Sequence, residues 1–152
     1  MTFRNTAFRN FGRAFALCAS LYATAAASQA QDDDWTVVTL AQNGAWGVAT
    51  EMSITRAIAV AVADCKAMSA EATDCGAMRT TIRGGWTVAL LCGEHKIIAA
   101  EVERADAERA AMNREIHLHL HFGADVPRCK RIVTVDPAGT VVGSGAQMAG
   151  AR

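Results

Sequence analysis

The sequence predicts an α+β fold, a duplicated strand-strand-helix-strand unit with two helices packed on an antiparallel sheet and two disulfides. Three observations carry that reading. Two segments that begin alike, at Trp35 and Trp86, lie 51 residues apart. A run with helical spacing follows each of them. Four cysteines remain once a leader is set aside.

The leader comes first in the chain. Arg4, Arg9 and Arg13 precede an apolar run from Ala14 to Ala27, and Ser28-Gln29-Ala30 offers small residues before a cleavage ahead of Gln31. That is the pattern of a signal peptide, residues 1–30. The run is too short and too rich in alanine for a membrane-spanning helix, and no later stretch is long enough. Cys18 follows Leu17 rather than a small residue, which argues against lipid attachment there. The expected location is therefore periplasmic or secreted. The whole chain has 15 basic and 15 acidic residues. Losing the three leader arginines leaves 12 against 15, a net charge of −3. Such a balance gives no electrostatic reason to expect a nucleic-acid partner. Residues 31–34 read as a disordered acidic start, 35–142 as one domain with copies 35–85 and 86–142, and 143–152 as a disordered tail.

Each copy opens with a hairpin. "WTVVTLAQNGAWGVATE" from Trp35 and "WTVALLCGEHKIIAAEV" from Trp86 each hold two apolar runs around a turn, "AQNG" or "CGEH". Asn43-Gly44 is a strong turn signal, because both residues tolerate positive φ. A helix is expected next. In the first copy Ser53 is the candidate N-cap, and Ile54, Ile58, Ala61, Cys65 and Met68 recur at helical spacing. In the second, "ERADAERAAMNRE" is rich in helix formers, with Ala105, Met112 and Ile116 on one side. A cysteine and a third strand follow in both copies, "CGAMRTTIR" and "CKRIVTV", the second with three extra residues before it. After the turn "DPAG", Thr140–Val142 is expected to add a last strand. Trp35 and Trp86, at equivalent places, are expected to pack in the core across the pseudo-twofold.

Cys65, Cys75, Cys92 and Cys129 are an even set in a secreted chain, which reads as two disulfides with three connectivities open. The repeat points to one of them. Cys65 ends the first helix and Cys75 starts the next strand, so a Cys65–Cys75 bridge would clip a short loop and leave Cys92–Cys129.

"NGAWGVAT" (Asn43 to Thr50), "SITRAIAVAVADC" (Ser53 to Cys65) and "DCGAM" (Asp74 to Met78) together resemble the secreted bacterial family called domain of unknown function 4189. That family is similar in having a Gly-aromatic-Gly strand, an alanine-rich helix ending in Ala-x-x-Cys, and an Asp-Cys pair at the next strand. The likeness covers roughly residues 35–93 and, more loosely, the second copy, where Ile116 stands at the place of Cys65. It implies a secreted, disulfide-bearing domain and brings no catalytic residues.

Candidate sites are few. "EIHLHLHFG" (Glu115 to Gly123) reads in two ways. As a strand it turns His117, His119 and His121 to one face, a possible metal site. As a helix it places His117 beside His121 and puts Met112, Ile116 and Leu120 on one core-facing stripe with Ala105. The matching helix end in the first copy and Gly123 as a C′ glycine favour the helix. "CGEH" brings Cys92, Glu94 and His95 into one loop, a nucleophile and base only if Cys92 is free. Trp46, beside the hairpin turn, is a candidate binding aromatic. Arg79, Arg83, Arg128, Lys130 and Arg131 lie on or near the two equivalent third strands, and form an anion-binding patch if those strands are neighbours. The expectation is a non-enzymatic binding or interaction module with an unknown envelope or extracellular partner and no cofactor. The alternative is a small metal-binding protein or enzyme using His95 or the His117/His121 pair.

Overall fold

A computed structural model describes residues 34–145. The leader, the start of the acidic segment and residues 146–152 lie outside the described residues. The fold is α+β with two helices, two antiparallel sheets and both expected disulfides, Cys65–Cys75 and Cys92–Cys129.

The first hairpin is β1 (Trp35–Leu40) and β2 (Trp46–Glu51). Gly44, at φ +87°, makes the turn between them, and the Asn43 side chain accepts the Ala45 N–H at 3.0 Å. Helix α1 spans Ile54–Met68. Ser53 does stand at its N-cap, but only the Ser53 carbonyl works there, accepting the Ala57 N–H; the hydroxyl makes no capping bond. Strand β3 (Arg79–Arg83) follows, and Cys75 makes only an isolated bridge with Met78 before it. The second hairpin is β4 (Trp86–Cys92) and β5 (His95–Glu101), joined by Gly93-Glu94 with Gly93 at φ +62°. A glycine with positive φ at the first central position is the requirement of a type II′ turn. Helix α2 (Arg104–Phe122), a 3₁₀ turn (Gly123–Asp125), β6 (Lys130–Val135) and β7 (Val141–Ser144) complete the chain. Gly143 and Ser144, assigned to the tail from sequence, belong to β7.

The strand orders are β2-β1-β3 and β5-β4-β6-β7. In both sheets the hairpin's first strand sits between its partner and the strand after the helix. The sequence led to one sheet carrying both helices. The structure instead stacks two sheets. Val38 and Leu40 of β1 meet Ala89, Ile98, Val133 and Val135 of the second sheet in one buried cluster. The outer faces hold the helices. Ala57 and Ala61 of α1 pack on Val37 and Ala49, and Ala107 and Ala111 of α2 pack on Val88, Leu90, Ile97 and Ala99. The result is four layers, helix–sheet–sheet–helix. Strands buried on both faces explain it: Val37 and Val38 are adjacent and both are fully buried, as are Val88 and Ala89.

The helix seams are lined with alanine. At Gly47 of β2 a Cβ would stand 1.9 Å from the carbonyl oxygen of Ala61. The α1 backbone therefore lies directly on the strand, which only glycine there permits.

The tryptophans do not pack across the two units. Trp35 belongs to the α1 core with the Arg83 guanidinium 4.3 Å from its ring, and Trp86 belongs to the α2 core with Arg104 at 5.4 Å. Both stand on the outer, helix-facing side of their strands.

Candidate functional site

The "EIHLHLHFG" segment is helical throughout. Helix α2 runs to Phe122, and Gly123, at φ +74°, donates its N–H to the His119 carbonyl. Its expected core stripe faces outward: Met112, Ile116, Leu120 and Ala105 are all exposed, while Ala107 and Ala111 are buried. His117 and His121 lie on exposed surface, and His119 stands 3.9 Å from Glu115, whose carboxylate also accepts the Cys129 N–H. Among the described residues no three His, Cys, Asp or Glu side chains converge as a metal site would require.

His95 closes the second hairpin and stacks on Phe122 at 4.8 Å between ring centroids. With Glu94, Asp125 and Pro127 it lines a hollow of about 410 Å³. Cys92 also lines it, but is joined to Cys129. No thiolate can form there, so the Cys-His nucleophile is excluded.

The basic residues separate into groups. β3 pairs with β1 and β6 pairs with β4 and β7, so the two third strands lie in different sheets and do not unite five cations in one patch. Arg79 donates to the Gly76 carbonyl at 2.7 Å and Arg83 covers Trp35. Arg128 is exposed in the loop before β6.

Trp46, Lys130 and Arg131 do come together. They line a groove of about 650 Å³ whose walls are predominantly apolar. Met68 from the end of α1 and Ile132 from β6 complete its apolar lining, and Gly44 and Gly145 add no side chain to fill it. The volume lies in the ~300–1,000 Å³ range of small-molecule sites.

Local structure builds this groove. Trp46 pairs with Leu40 and shares its face, toward the second sheet. The β4–β6 register slips at Ile132, so Arg131 opposes Leu90 and Val133 opposes Ala89. A bulge of this kind re-aims a side chain. Ile132 and Val133 both meet the core between the sheets. On the other side of the molecule β3 packs against β5. The corresponding pair, β2 and β6, leaves Trp46 and Ile132 lining an open groove instead.

Lys130 and Arg131 face opposite ways. The Arg131 guanidinium lies 3.2 Å from Glu108 of α2, on the outer face of the sheet. Lys130, its neighbour, pairs with Leu91, whose side chain lies nearest the Gly44 turn. It faces the groove side and has no ion-pair partner among the described residues.

Met68, Ile132, Gly44 and Gly145 were not foreseen from the sequence. They come from separate elements and share no motif.

No protein-family model, no curated protein and no solved structure matches this chain.

Proposed function

We propose that the protein is a periplasmic or secreted binding module without enzymatic activity, and that the groove at Trp46 is its binding surface. The meeting of Trp46, Met68 and Ile132 with the cationic Lys130 carries this reading. Location outside the cytoplasm is supported by two disulfides, which persist in oxidising compartments. The leader-like start and the resemblance of residues 35–93 to domain of unknown function 4189 agree with it. No described helix is long and apolar enough to cross a membrane.

The test compares wild type with Ile132→Arg, which fills the groove with a charge. Both are immobilised and exposed to native envelope extract, and the eluates are searched for proteins and lipids by mass spectrometry. At least one component should fall about tenfold or more on the variant, as expected on losing a central contact. Equal retention by two equally stable proteins would overturn the groove as the binding surface.

A further inference from the structure

We infer that the groove takes a single-chain amphipathic carboxylate, with its apolar chain along Trp46, Met68 and Ile132 and its charge at Lys130. This rests on the groove being the binding surface and goes further by naming the class of ligand.

The walls decide the body of the ligand. An indole face, a thioether and a branched alkyl group form most of the walls, and Ser144 adds one hydroxyl, too few polar groups to match a polar skeleton. A sugar or a backbone-rich peptide would lose water from polar groups against these walls with few partners in return. An acyl chain carries no such groups. Met68 suits a flexible chain, because its unbranched thioether adapts to irregular shapes.

Charge decides the head. Arg131 is committed to Glu108 on the opposite face. Lys130 is the cation left on the groove side, exposed and unpaired among the described residues. An ammonium beside an apolar slot complements a carboxylate at the end of a chain. A neutral amphiphile would gain only the apolar part, and a cationic one would be repelled.

The experiment titrates the purified protein with decanoate, decanol and decyltrimethylammonium as monomers, by calorimetry and by tryptophan emission. Decanoate is expected to bind saturably at one site, decanol more weakly and the cation least. Lys130→Gln should weaken decanoate about fourfold and change decanol by less than about twofold, as for loss of one solvent-exposed charge contact. Ile132→Ser should weaken both. Lys130 is exposed, so its variant is expected to fold; far-UV circular dichroism verifies this. Equal affinity for decanoate and decanol, or an unchanged Lys130→Gln, would overturn the carboxylate assignment. Binding only to vesicles of anionic phospholipid, with no uptake of monomer, would overturn the single-chain ligand. Failure of all three amphiphiles sinks this inference while leaving the groove reading intact if Ile132→Arg still loses its envelope component. If that variant retains everything, the groove reading itself has failed.

Discussion

Gly47 is where a single atom matters most. The carbonyl of Ala61 and the N–H of Cys65 lie where a Cβ would go, at 1.9 and 2.7 Å, and both belong to helix backbone. Neither can move without lifting α1 from its sheet. Gly47→Ala is therefore expected to cost about 3 kcal/mol, the upper end for overpacking, measured by urea unfolding. A loss under ~1 kcal/mol would mean that the helix is not seated so closely. Asp74 ties the molecule differently. It accepts the Gln42 N–H with both oxygens at 3.1 Å and forms an ion pair with Lys96 of β5. Lys96, then the Gln42 N–H, hold its carboxyl below the usual range against the opposing effect of burial. A pKa lowered by folding contributes stability that is present above the unfolded value and is lost as pH falls through the folded one. Asp74→Asn should thus cost about 1 kcal/mol at pH 6 and close to nothing near pH 2. A pH-independent difference would contradict this. Lys96 could not be matched to Asp74 from sequence, since nothing local links a loop of the first half to a strand of the second.

The two readings of residues 116–122 show what an element reveals about itself and what it does not. Alternation of apolar residues and histidines fits a strand, but the segment continues a helix already nucleated at Arg104, and Gly123 ends it with the positive φ that a helix stop often uses. The helix was therefore legible. Its orientation was not. Met112, Ile116 and Leu120 are the larger apolar residues and were expected inside, yet Ala107 and Ala111 occupy the seam. Small residues let the helix approach the sheet closely, and the strands supply the bulk through Val88, Leu90 and Ile97. The same holds for α1, where Ala57, Ala61 and Cys65 are the buried residues. Hydrophobic spacing alone ranks residues by apolarity and misses a seam chosen for size. The consequence is measurable on α2. Ala111→Leu should destabilise by about 1–3 kcal/mol through overpacking, while Leu120→Lys should change stability by less than ~0.5 kcal/mol. The reverse order in thermal melts would restore the stripe read from the sequence.

Across the whole molecule the order strand-strand-helix-strand along each half was legible in the sequence, but how the strands order in their sheets and how the halves meet was not. The adjacent buried pairs Val37-Val38 and Val88-Ala89 were a readable sign that β1 and β4 have no solvent face. Strands with no solvent face need a layer on each side, which means stacked sheets rather than one sheet with helices on a single side. The groove lay beyond this level of inference, because it depends on the slip at Ile132 and on the sheets parting between β2 and β6. The disulfides work on the same scale, and unequally. Cys65–Cys75 spans 10 residues and Cys92–Cys129 spans 37. Restricting the unfolded chain is worth about 3 kcal/mol for the first loop and about 4 kcal/mol for the second. The longer bridge also joins the β4–β5 turn to the start of β6, and so holds α2 between fixed ends. The shorter one tethers α1 to a loop already held by Thr39, whose hydroxyl donates to the Met78 carbonyl and accepts the Gly76 N–H. Replacing Cys92 and Cys129 together by alanine should therefore cost about 1 kcal/mol more than replacing Cys65 and Cys75. Denaturant unfolding of the two double variants measures the difference. A larger loss from the shorter bridge would mean that loop length does not govern, and that Cys65, buried against Ala41 and Ala45, matters more as packing than as a tether.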